Sequence, residues 1–170
     1  MKNTIYNLEK IKKNLEFCAE FILESINCFS DEYKANIFGK AVVTKHDFER
    51  NVCFLCEKLS KAQLMLSNSL SELFACEKEI LLSLEKAYAD VISEKAIELE
   101  GLLKKAEKYK DFCVCVSLYC IEEYEKEITE PLKHTFDGKK TAEIDVSLLL
   151  KSAKSFSLRI EQYLKNLNGE

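Results

Sequence analysis

The sequence predicts an all-α protein, an antiparallel bundle of four to five long helices forming a single domain over residues 1–170. Three observations carry this. Only four glycines and one proline occur in 170 residues, against ordinary usage of ~7% and ~5%, so the chain has little material for tight turns and must consist of few, long elements. Leu, Glu, Lys and Ala, all strong helix formers, are abundant. Apolar residues recur at alternating steps of three and four, the spacing of a helix with one face against a core.

The first helix is expected over 4–29, where Leu8, Ile11, Leu15, Cys18, Ile22 and Phe29 form the seam and Phe17, Phe21 and Cys28 widen it to the breadth of a docked bundle helix. Ser30 and Asp31 read as a stop with a new N-cap, followed by a short helix near 31–38 that Gly39 ends in a left-handed conformation. Thr44, with Asp47 three residues on, caps a helix over 45–66 with Phe48, Val52, Leu55, Leu59, Ala62 and Leu66 on its seam. Phe54 falls opposite that seam, which predicts a helix covered on two faces.

Ser69 with Glu72 has the form of a capping box, so a helix boundary is expected at Ser67–Ser69 and a third helix over 70–108. Lys104, Lys105, Lys108 and Lys110 suit its C-terminal dipole, and Asp111 suits the cap of the next helix, over 111–129. Residues 112–121, FCVCVSLYCI, are apolar nearly all round and predict a buried central helix, ended by the acidic run from Glu122 and by Pro131. An exposed loop to about Thr141 follows, holding His134, Asp137 and Gly138. Thr141 or Asp145 then caps a final helix over 145–167, with Val146, Leu149, Ala153, Phe156, Ile160, Tyr163 and Leu167 in line.

Composition narrows function by exclusion. Apolar residues make up 47% and charged residues 32%, which is globular. The net charge is −4, and only Arg50 and Arg159 are arginines; no concentrated basic face exists to displace counterions, so nucleic acid is not expected as a partner. No run reaches the ~18 apolar residues of a membrane span, and no membrane association is expected. The N-terminal stretch has no signal-peptide core, so a cytoplasmic location with reduced thiols is expected for the eight cysteines.

Chemistry-bearing patterns are sparse. Cys53 and Cys56 form a CxxC, but mid-helix and without a second thiol or imidazole pair at zinc-finger spacing. Cys113 and Cys120 share a helix face two turns apart, while Cys115 points away; copper(I)-holding bundles stack thiols at i, i+4, a spacing no two cysteines here have. These four cysteines are the weak metal candidates, and structural packing is the expected role. His46 and His134 lack the Glu-x-x-His context of a di-iron bundle. No nucleophile elbow, phosphate loop or zincin motif occurs. Glu16, Glu20 and Glu24 align at i, i+4 as weak candidates for a partner-binding face. The expectation is therefore a non-enzymatic protein-interaction module such as an adaptor, chaperone, inhibitor or immunity-type bundle, without cofactor, acting on another protein and able to form a homodimer. The alternative is a bundle holding a soft metal, copper or zinc, or an apolar small molecule in its cysteine-rich interior.

Overall fold

The computed structural model describes residues 1–34 and 39–169. It is an all-α bundle with one small sheet. Helix α1 spans Lys2–Asp31, strand β1 Lys40–Thr44, helix α2 Lys45–Ala89 and helix α3 Ser93–Cys115; two π-helical segments follow at Val116–Glu122 and Glu125–Thr129, then α4 at Glu130–Lys133, β2 at Thr141–Asp145 and α5 at Val146–Asn168. From Ser93 to Lys133 the chain is one helical rod whose winding changes along its length.

Neighbouring rods are antiparallel, as the cross-links between them show. Thr4 donates to Glu79 at 2.6 Å and Asn51 to Tyr33 at 3.0 Å, which sets α1 against α2 in opposite directions. Gln63 meets Ser117, and Glu77 meets Lys110, between α2 and the α3 rod. Arg159 reaches Tyr119 and Glu123, closing the ring through α5. Because Thr4 stands level with Glu79, roughly the last two turns of α2, ~10 Å at 1.5 Å per residue, extend past the start of α1.

The seams predicted for α1, α2 and α5 are the core. Ile11, Leu15, Ile22, Leu59, Ala62 and Ile160 are among its fully buried residues. Burying such a side chain is worth roughly 1.5–3 kcal/mol, which is why the seams and not helix propensity hold the rods together. One end of the bundle is plugged by rings, Phe29, Tyr33, Phe48 and Phe136, packed edge-on or, for Phe29 and Phe48, tilted, at centroid distances of 5.6–6.4 Å.

Several expected boundaries are overturned. No break occurs at Ser67–Ser69: α2 runs unbroken to Ala89, and Ser69 is buried on its inner face instead of capping. The turn lies at Asp90–Ile92, where Val91 takes φ +55° without a glycine. Nor does the rod stop at Lys110; Lys110 is tied sideways to Glu77, and Asp111 is an ordinary helical position. Pro131 does not end the rod, which continues to Lys133. The turn before it is π-wound, so the hydrogen-bond ladder is already open where Pro131 has no N–H to give.

Asp31 is the last residue of α1, not a new cap. Residues 35–38 of the short helix expected near 31–38 lie outside the described residues. The second cover expected over Phe54 is not found, as Phe54 is more than half exposed, and the stripe of α1 is narrower than expected: Phe21 packs on the core, but Phe17 and Cys28 are exposed.

The sheet was not expected. Strands β1 and β2 pair antiparallel with Lys40 opposite Asp145 and Thr44 opposite Thr141, turning Ala41 and Ile144 inward as partners. The ribbon is tied to both helices that leave it. The Lys45 N–H donates to the Lys140 carbonyl at 2.9 Å, and the Val146 and Ser147 N–H groups donate to the Gly39 carbonyl at 2.8 and 3.2 Å. The residue just before each strand therefore hands its carbonyl to the orphan donors at the start of the helix that follows the other strand. Asp145 also caps α5 as expected, accepting from Leu148 N–H at 3.0 Å. The loop expected up to Thr141 is shorter and less exposed, because Phe136 turns inward against Phe48.

Candidate protein interface

The α2 and α3 rods bury one side against α1 and α5 and leave their other side open. That outer side is not polar. Leu64 is 61% exposed, Phe74 55% and Leu82 59%; Leu81, Val114 and Leu118 are also exposed. At 100° per residue Leu64 and Leu82, eighteen positions apart, fall on the same meridian of α2, with Phe74 and Leu81 on the flank nearest α3. The α3 rod contributes Val114 and Leu118 across the groove. The expectation that 112–121 is buried all round is thus half right in its residues: Phe112, Cys113, Val116, Cys120 and Ile121 are buried, while Val114, Leu118 and Tyr119 face out.

A shallow groove of about 580 Å³ runs between Leu64, Leu70, Val114 and Leu118, floored by Leu66 and Cys113. Its polar lining is exposed Ser67 and one closed pair: Ser117 Oγ donates to Gln63 Oε1 at 2.6 Å and Gln63 Nε2 donates to the Ser117 carbonyl at 3.3 Å. In a π-helical turn the residues are offset from the α ladder, and Ser117 lies in the first π segment, where its exposed carbonyl reaches Gln63. Further along, Glu77 and Lys110 form an ion pair at 2.6 Å with both side chains about one-fifth exposed, and the Lys110 ammonium sits 5.2 Å from the Phe74 ring centre. Phe74, Lys78, Leu81, Leu82 and Glu85 then line a second hollow of about 300 Å³ on α2. Gln63 with Ser117 and Glu77 with Lys110 satisfy one another, so the face offers a row of hydrocarbon edged by exposed Ser67, Lys78 and Glu85.

The residues singled out from sequence lie elsewhere. Cys53 and half-buried Cys56 edge a hollow of about 360 Å³ with Phe48, Val52, Leu132 and Lys133, beside the end of the α3 rod. Burial pushes the Cys56 thiol up, against the opposing pull of the Lys133 ammonium. Cys113 is buried in the core near Cys18, and Cys120 is buried near Arg159; burial pushes all three of these thiols, Cys18, Cys113 and Cys120, up to about 12. All eight cysteines are free. Among the described residues no three Cys, His, Asp or Glu side chains gather where an ion could sit.

Glu16 is partly covered and paired with Lys12 at 3.8 Å, whereas Glu20 and Glu24 are exposed on α1, away from the groove. His46 and His134 are exposed. The sequence signal for the groove was present but unread: apolar residues at 64, 74, 81 and 82 fall outside the seam of α2, where a solvated helix carries charge.

Among the described residues no helix is long and apolar enough to cross a membrane. Compared with protein families, with curated proteins and with solved structures, the chain has no match in any of the three.

Proposed function

We propose that this chain is a cytoplasmic, non-enzymatic protein-interaction module, and that it binds through the outer face of the α2–α3 hairpin. The observation that carries the reading is the row Leu64, Phe74, Leu81, Leu82, Val114 and Leu118, half-exposed along two hollows of the α2–α3 face, whose inner polar groups, Gln63 with Ser117 and Glu77 with Lys110, are already paired. Contiguous apolar surface of this extent is costly to leave in water and marks contact sites on folded proteins. The occupant is a helical face of another protein chain, because the groove is long, shallow and apolar, as helix-in-groove recognition requires. Eight free thiols support a reducing compartment.

The test places a photo-crosslinking residue at position 64 or 82, and as a control at exposed Glu20 on α1. Protein adducts are expected from the groove positions and not from position 20, and they should disappear when Phe74→Asp is added. Equal labelling from both faces would refute the reading.

A second reading has its own observation. The hollow walled by Phe48, Val52, Cys53, Cys56 and Leu132 is of a size for a small apolar molecule, though with two thiols at its wall it suits a soft metal such as copper or zinc poorly. Native mass spectrometry of freshly purified protein separates the two: retained ligand mass or stoichiometric metal favours this reading, a bare chain the first.

A further inference from the structure

The geometry points to a second copy of this chain as the occupant of the outer face of α2, packed antiparallel across a two-fold axis that passes between Leu81 and Leu82; this rests on the interface reading above. Three features argue for it. The first is charge. Lys78 and Glu85 are exposed, lie seven residues apart on the same face of α2, and stand at equal distances on either side of the Leu81–Leu82 pair. Neither has an intrachain ion pair among the described residues. An antiparallel two-fold about that point sets Lys78 of each copy against Glu85 of the other, so the face is complementary to itself.

The second feature is what the same register does with the hairpin tip. Val91 is 83% exposed and Ile92 46%, an unusual place for two β-branched apolar side chains. Residues related by this axis have numbers that sum to 163: Ala89 of each copy faces half-exposed Phe74 of the other, and the tip residues Val91 and Ile92 come level with exposed Glu72 and Ser71 beside that ring. The Phe74 ring thus gives the tip partial apolar cover without any change of fold.

The third feature is area. Contact from Phe74 to Ala89 follows about four and a half turns of α2. With the tip added, it buries on the order of 500 Å² per copy, the low end of specific interfaces, so association is micromolar and not obligate. Although each copy carries a net charge of −4, Lys78 and Glu85 cancel at the contact, and the long-range repulsion is screened over a Debye length of about 8 Å at physiological salt.

The test is sedimentation equilibrium of the full chain and its charge variants between about 1 and 500 µM, the range in which an interface of this size associates. Wild type should pass from monomer to dimer. Lys78→Glu or Glu85→Lys alone sets two like-charge pairs across the axis and should weaken dimerisation by about tenfold or more. The double variant K78E/E85K should return to within about threefold of wild type, and a mixture of the two single variants should form heterodimers in preference to either homodimer. These are exposed positions, and circular dichroism confirms that the helices persist. A wild-type chain that stays monomeric throughout, or a double variant no tighter than the singles, overturns the proposal. If the monomeric chain still crosslinks another protein from position 82, the interface reading stands and self-association alone falls; if it crosslinks nothing, both fall.

Discussion

Replacing Gly39 by alanine tests whether the ribbon holds the bundle closed. Gly39 has φ +69°, a conformation that costs an L-residue with a Cβ roughly 1–2 kcal/mol. A Cβ there would stand 2.4 Å from Ser147 Oγ, so the serine must leave its rotamer or the backbone must shift, at about another 0.5–1.5 kcal/mol. A shift also weakens the bonds from the Val146 and Ser147 N–H groups to the Gly39 carbonyl, net contributions of about 0.5–1.5 kcal/mol each. The expected loss is therefore about 2–3 kcal/mol, which for a chain of this length lowers the melting temperature by roughly 4–12 °C.

Urea denaturation followed by circular dichroism measures this directly. The companion Ser147→Ala separates the causes: in G39A/S147A the steric part, about 0.5–1.5 kcal/mol, is recovered and the dihedral part stays. A G39A variant within 0.5 kcal/mol of wild type would mean that the ribbon contributes nothing measurable to closing the bundle, contrary to the capping argument.

Other perturbations follow from the interior. Among the described residues the fully buried Tyr124 hydroxyl has no hydrogen bond of good geometry; the Ser30 hydroxyl beside it donates to the Ile26 carbonyl at 3.0 Å, and burial raises Tyr124 against the opposing pull of Ser30. Tyr124→Phe is accordingly expected to leave stability unchanged or raise it by up to about 1–2 kcal/mol in the same urea assay, since an unsatisfied hydroxyl is removed; a loss above 1 kcal/mol would reveal a bound partner for that oxygen. Lys110→Ala should cost about 1–3 kcal/mol by stranding Glu77, while Lys110→Met, which keeps the contact with the Phe74 ring, should cost less; equal losses would show that the charge pair is idle.

Thiol labelling at pH 8 should modify exposed Cys28 and Cys53 first and spare Cys18, Cys113 and Cys120 until the chain unfolds, as timed alkylation with mass spectrometry would read. Because the folded state raises those three thiols from the ordinary 9 to about 12, it holds their protons after the unfolded chain has released its own. Their contribution to stability is complete below pH 9 and is lost as pH rises from 9 to about 12. The urea midpoint should fall across that window, and a flat profile would show the thiols to be solvated.

What could be read from the sequence was the seam of each rod. Seven-residue repetition names Ile11, Leu59 or Phe156 as core because each sits in a long series of like neighbours. Ends are set by single contacts, and there the reading failed. Ser69 and Glu72 have the local form of a cap, but the inward pull of Leu66, Leu73 and Ile80 carries α2 through them. The turn falls instead at Val91, in a conformation that composition alone would assign to glycine. The ribbon was invisible because its two strands are five residues each, with only Ala41 and Val43 on one and Ala142 and Ile144 on the other turned inward, and its meaning depends on a partner a hundred positions away.

The outer groove escaped for the opposite reason. Leu64, Phe74 and Leu82 are as apolar as core residues, and only the packing of four rods reveals which side of α2 has no neighbour.

The ribbon also has a consequence for how the chain can change. Since α2 leaves it at Lys45 and β2 returns to it at Thr141, everything between is an arm anchored at both ends in one place. Adding about eighteen residues to each of the outgoing and returning rods, about five whole turns apiece at 3.6 residues per turn, would lengthen the reach and return the tip to the same azimuth with the base untouched. The base acts as a hinge pin of fixed design, and span becomes a property that can be lengthened or shortened on its own.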